Sequence, residues 1–140
     1  MKIYGIVAEY NPFHNGHKFQ IDEIRKKAGD CAIVSVMSGN YVQRAETAVM
    51  SKYARAKAAL LGGVDLVLEL PMTYAISSAE RFAYSSVHIL NSLGAVTDIS
   101  FGSECGSISI LKKAVEALYD ENVNLKLKAE LKNGVSYPAA

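Results

Sequence analysis

Two histidines three residues apart, His14 and His17, stand in the stretch Glu9-Tyr10-Asn11-Pro12-Phe13-His14-Asn15-Gly16-His17. Paired imidazoles can donate hydrogen bonds to the oxygens of one phosphate. The apolar run Ile3 to Ala8 before them reads as a strand. The residues after them read as a helix over His17 to Ala28. Strand, polar turn and helix is the layout of a nucleotide-phosphate site. A helix N-terminus offers unpaired backbone N–H groups and a partial positive charge. A phosphate placed there is stabilised before any side chain acts. Gly16 is expected to let the backbone turn sharply and approach the ligand closely. The alternative is a pair of ordinary surface histidines in a loop. The position between the first strand and the first helix favours the site. The candidate nucleotide contacts are Val7, Ala8, Glu9, Tyr10, Asn11, Pro12, Phe13, His14, Asn15, Gly16, His17, Lys18, Phe19 and Gln20, with His14 and His17 as the catalytic pair.

The elements that must position this turn alternate regularly. Cys31 to Met37, Val64 to Leu70 and Thr97 to Phe101 read as further strands. Met50 to Leu61, Ser77 or Ser78 to about Leu93, and Ser107 to Tyr119 read as further helices. Ile21, Ile24 and Ala28 have inward spacing on the first helix. On the third, Ala79, Phe82, Ala83, Val87 and Leu90 are expected on one side, and Ser77 with Glu80 has capping-box spacing. Continuous apolar strands between amphipathic helices indicate a parallel sheet covered on both faces. Right-handed crossovers make this an α/β, Rossmann-like, doubly wound parallel sheet. In such sheets ligands sit at the carboxyl ends of the strands.

Two other turns lie at that edge. Met37-Ser38-Gly39-Asn40-Tyr41-Val42-Gln43-Arg44-Ala45-Glu46 offers Ser38, Asn40 and Arg44 as substrate contacts. Arg44 either meets an anion bidentately or pairs with Glu46, and the residues leave both open. Phe101-Gly102-Ser103-Glu104 offers Gly102 as a close approach for the adenosine. Ile76-Ser77-Ser78-Ala79-Glu80-Arg81 looks like a phosphate motif but is better explained as a helix cap, and His88 reads as a structural residue.

The 140 residues suit one domain, and 50% hydrophobic content can fill its core. A net charge of +1 argues against a polybasic nucleic-acid surface. No run has signal-peptide character or transmembrane length, so no membrane partner and a cytoplasmic location are expected. Cys31 and Cys105 form no metal spacing and are expected as reduced thiols, and no metal-ligand set is read. The Leu, Lys and Glu alternation from Val123 to Lys132 reads as a short solvated helix, and the final residues read as cut rather than finished. The expected organisation is a nucleotide-binding domain over 1–122 and a helical extension over 123–140 leading toward a further C-terminal part.

The HNGH pattern at 14–17 is similar to the HxGH signature of the nucleotidylyltransferase superfamily and to the HIGH motif of class I aminoacyl-tRNA synthetases. Those enzymes bind ATP at that turn and transfer its adenylyl group with loss of pyrophosphate. Most of residues 1–105 resembles the tRNA(Met) cytidine acetate ligase family. Its members share EYNPFHNGH, an MSGN-aromatic-VQR turn, GVDLVLELP and FGSE, here Glu9–His17, Met37–Arg44, Gly63–Pro71 and Phe101–Glu104. The resemblance implies ATP-dependent activation of acetate to acetyl-adenylate, then acetylation of the wobble cytidine of elongator tRNA(Met). ATP, Mg2+, acetate and that tRNA are the implied cofactors and partners, and the fold is implied to be of the nucleotidylyltransferase type. Family members usually continue the VQR turn with Gly-Glu-Pro, whereas this chain has Ala45-Glu46-Thr47. Family members are also much longer. A small-molecule adenylyltransferase and a non-catalytic nucleotide-binding module are the alternatives. The fragment itself is expected to be weakly active at best.

Overall fold

The computed structural model describes residues 1–136, so the last four positions of the 123–140 segment lie outside the described residues. Contacts divide the chain into two compact units, Met1–Phe101 and a second beginning at Gly102. The first holds β1 (Lys2–Ala8), α1 (Asn15–Ala28), β2 (Cys31–Ser38), α2 (Lys52–Leu61), β3 (Leu66–Leu70), α3 (Met72–Ala75), α4 (Ala79–Ser92) and β4 (Asp98–Ser100). The second holds α5 (Ile108–Tyr119) and α6 (Glu121–Lys132), which pack on each other. Asp120 caps α6 by accepting from the amides of Asn122 and Val123.

The four strands form one parallel sheet in the order β3-β2-β1-β4. The doubly wound architecture expected from the apolar pattern is therefore present. Register pairs Ile6 with Ser35 and Ala8 with Met37. Alternation then splits the core in two. Ile6, Ile33 and Met37 pack with Ile21 and Ile24 of α1 and Ala59 of α2. Val34, Val36 and Leu70 pack with Ala75 of α3 and with Phe82 and Leu90 of α4. The chain winds from β1 outward to β3, then crosses back to β4 on the other side of β1. The strand order reverses at β1, which makes its carboxyl end the switch point where such sheets bind ligands.

Two local expectations are corrected. The buried stripe of α4 runs through Phe82, Ser85, Ser86 and Leu90, while Ala79, Ala83 and Val87 are exposed. Serine substitutes for an apolar residue here because Ser86 Oγ donates to the Phe82 carbonyl and is satisfied within the helix. Ser78, not Ser77, caps α4, accepting from Arg81 N. Ser77 Oγ instead donates to Tyr74 O at the end of α3, a short helix the sequence did not signal.

Candidate functional site

His14 is the N-cap of α1, in extended backbone conformation. Its Nδ1 accepts from Gly16 N at 3.1 Å, and His17 Nδ1 accepts from His14 N at 3.2 Å. The two imidazoles thus form a reciprocal capping box, a task usually given to Ser or Thr with Glu. Both Nδ1 atoms act as acceptors, so each neutral ring carries its proton on Nε2. The rings stack at 3.8 Å between centroids and 26°. No acidic residue occupies the first turn of α1, so its positive end is uncompensated.

The expectation of open backbone donors at this turn is modified. The amides of His14 and Gly16 are already taken by the imidazoles, and those of His17 and Lys18 bond the His14 carbonyl. The donors left to an incoming anion are the Asn15 amide, which has no partner among the described residues, and the two Nε2–H groups. Gly16 also differs from its expected role. It lies in ordinary helical backbone, and a Cβ there would come within 3.0 Å of the His14 ring. It provides room for the imidazole rather than a sharp turn.

Aromatic packing fixes the pair from below. The Tyr10 ring meets His17 edge-on at 4.8 Å and Phe13 at 5.2 Å, and Phe13 lies 5.5 Å from His17. Tyr10 takes a positive φ of 48° and is buried at 1% exposure, so it is a support and not a surface contact. Burial raises the Tyr10 phenol above its ordinary pKa, opposed by the Ser35 hydroxyl. Partial burial and the neighbouring His14 lower the His17 pKa. Both effects keep His17 neutral near pH 7, in the state its capping bond requires.

The rest of the expected nucleotide segment divides by task. Glu9 Oε1 accepts from Gln43 N at 2.8 Å, and Asn11 Oδ1 accepts from Val49 N at 2.8 Å. These side chains tie the first turn to the 39–51 loop. The Asn11–Pro12 peptide is cis. Val7 and Ala8 pack into the core on opposite sheet faces. Asn15 and Phe19 are exposed, and Lys18 pairs with Asp22. Gln20 Nε2 donates to the carbonyl and hydroxyl of Ser100 at 3.1 and 3.2 Å, joining α1 to β4. Gly102 is the exposed first residue of the second unit.

The three expected substrate contacts do not converge. Ser38 is fully buried on the face of Val34 and Val36, with no hydrogen-bond partner among the described residues. Asn40 Oδ1 accepts from Lys52 N at 3.1 Å and so caps the start of α2. Arg44, like Asn40, is exposed. It makes no ion pair with Glu46, which removes one of its two alternatives, and it sits at a φ of 63°.

Sequence reasoning missed Arg55. Its side chain is 1% exposed and donates to the carbonyls of Glu9 at 2.6 Å, Met50 at 3.2 Å and Gly39. One guanidinium therefore joins three segments at the carboxyl edge. Burial lowers its pKa, opposed by the Glu9 and Glu69 carboxylates. Little in the sequence singles it out, because Lys52 and Lys57 are long cations on the same helix. Lys52 pairs with Glu69 of β3 at 2.6 Å beside Gly39, where a Cβ would strike the carboxylate. Gly62 likewise leaves room for the Phe13 ring. Among the described residues no group of three or more His, Cys, Asp or Glu could hold a metal, and no helix is long and apolar enough to cross a membrane.

A family model for HIGH nucleotidyl transferases matches residues 1–140. The chain is 50% identical over its whole length to the tRNA(Met) cytidine acetate ligase of Acetivibrio thermocellus, covering 34% of that protein. It is 52% identical to the ligase of the same name from Caldicellulosiruptor saccharolyticus, covering 35%. Thermotoga maritima TmcAL bound with alpha-thio ATP superposes with a TM-score of 0.88 at 45% identity, over 99% of this chain and 34% of that one. The chain spans about a third of the length of the relatives it matches.

Proposed function

The chain belongs to the HIGH nucleotidyl transferase family, and from that premise we propose that it is the ATP-binding, adenylate-forming part of a tRNA(Met) cytidine acetate ligase. The observation that carries this is the histidine capping box at the switch point of the sheet. Two neutral imidazoles present Nε2–H donors at the positive end of α1. The similarity to relatives of that name, and to a neighbour bound to an ATP analogue, supports the choice of nucleotide and acceptor.

In the first step a carboxylate oxygen of acetate attacks the α-phosphorus of ATP. A new P–O bond forms, the bond to the β-phosphate bridging oxygen breaks, and pyrophosphate leaves with its electron pair. Negative charge grows on the phosphoryl and leaving oxygens. His14 and His17 donate to those oxygens, assisted by the α1 terminus. In the second step the exocyclic amine of the wobble cytidine attacks the acetyl carbon, loses a proton, and AMP leaves. A Mg2+ bound with ATP would neutralise charge on the phosphates, and no cluster of His, Cys, Asp or Glu among the described residues would hold it on the protein. Glu9, Asn11 and Arg55 do not touch the nucleotide in this account; they hold the turn and the 39–51 loop in place. Arg44 is the exposed cation of that loop available to an anionic substrate.

ATP–pyrophosphate exchange with and without acetate tests the reading. Exchange that requires acetate supports it. Exchange driven by a nucleotide or a phosphopantetheine acceptor and indifferent to acetate supports a small-molecule adenylyltransferase, and ATP binding without any exchange supports a module without catalysis.

A further inference from the structure

The Ile76–Arg81 cap accounts for Ser77 and Ser78 but not for Arg81. That guanidinium is exposed and makes no ion pair among the described residues. It lines a cavity of about 440 Å³ between α3 and α4, together with Tyr74, Tyr84, Ser85 and His88. Arg81, Ser85 and His88 follow one another at helical spacing and so share a face of α4. Tyr84 and His88 present parallel rings, 6° apart in plane and 6.3 Å between centroids. Tyr84 is 73% exposed, so its ring does little for the core. Ser85 is 8% exposed, and its hydroxyl bonds no other group among the described residues. The Ser85 hydroxyl is therefore open to a polar ligand in the cavity.

This place is separate from the histidine cap. It lies on the α4 face of the sheet, where Leu70, Phe82 and Leu90 pack, whereas α1 covers the opposite face. It adjoins Pro71 at the end of β3, with β2 between β3 and β1. Parallel aromatic planes, an exposed guanidinium and a cavity-lining hydroxyl match a planar base with an attached phosphate. Base stacking on aromatic side chains and Arg contact with phosphate are how single-stranded nucleic acid is held without sequence readout. The volume is within the range of small-ligand sites.

We propose that the α3–α4 cavity is a second nucleotide site. One unpaired base stacks on the Tyr84–His88 pair, Arg81 holds its phosphate, and Ser85 Oγ bonds the base or ribose. The nucleotide belongs to a single strand of RNA or is free, and the test separates these sources.

Fluorescence anisotropy of the full chain with a labelled unstructured RNA oligonucleotide, and competition by cytidine monophosphate, provide the two arms. Tyr84→Ala should weaken RNA binding by about fivefold or more, and Tyr84→Phe should stay within about twofold of the parent because the ring remains. Arg81→Gln should weaken binding and lower the salt slope by about one. Alpha-thio ATP binding measured in the same variants should be unchanged, which shows that they are folded. Tight RNA binding with weak competition identifies an RNA strand as the source, and competition equal to the RNA's own affinity identifies free nucleotide. Binding of neither probe, or binding of both that ignores Tyr84→Ala and Arg81→Gln, overturns the proposal.

Discussion

At the scale of single residues the account rests on what an imidazole can do only while neutral. Nδ1 of His14 and of His17 each accepts a backbone amide, and a protonated ring cannot accept. His17 has a lowered pKa, first from burial and then from His14. The folded chain therefore resists a proton that the unfolded chain accepts near pH 6.5, the ordinary histidine value. Stability should be constant above that pH and should fall as pH drops below it, levelling off once the folded His17 is also protonated. Thermal melts from pH 8 to pH 5 check this, and His17→Gln should flatten part of the fall. The same two rings are assigned to charge that grows in the transition state. His14→Ala and His17→Ala should each slow acetate-dependent exchange at least tenfold, by about a hundredfold if one preorganised donor is lost, with a smaller change in ATP affinity. A loss confined to ATP affinity, with the exchange rate at saturating ATP unchanged, would mean that the rings hold only the ground state.

At the scale of elements, the turns are held more firmly than their polar composition suggests. Arg55 bonds three carbonyls from inside α2, so Arg55→Ala leaves buried acceptors without donors and should cost at least about 2 kcal/mol by denaturant melts. Gly62→Ala pushes a methyl into the Phe13 ring and should cost about 1–3 kcal/mol while disturbing His17 through Phe13. Ala45 occupies left-handed backbone at a φ of 58°, at the position where the resembled family has glycine. Ala45→Gly should therefore stabilise the chain by up to about 1 kcal/mol, the strain relieved being partly offset by the greater freedom of glycine when unfolded. An unchanged or lowered Tm would show that this loop conformation is wrong. Strand and helix positions were legible because apolar periodicity reports burial directly. The strand-turn-helix setting of HNGH was legible for the same reason. Arg55, the loop ties of Glu9 and Asn11, and the inward Ser38 were not, because each depends on a contact between residues far apart in sequence. The stripe of α4 was misread because a serine such as Ser86 can be buried once its hydroxyl bonds within its own helix, which hydrophobicity cannot express.

At the scale of the whole chain, one topological fact organises the rest. The order β3-β2-β1-β4 places the reversal beside β1, and the histidine turn is the segment that leaves β1. Gln20 reaches Ser100, so the first helix is fastened to the strand across that reversal. On the proposed reading the nucleotide takes the carboxyl-end turn after β1, whichever acceptor follows. A crystal structure of the chain with alpha-thio ATP tests this most directly. The account predicts the triphosphate at the turn after β1, with phosphate oxygens at about 2.7–3.1 Å from Nε2 of His14 and of His17. A triphosphate seated at the turns after β2 or β3, with both imidazoles uninvolved, would contradict it.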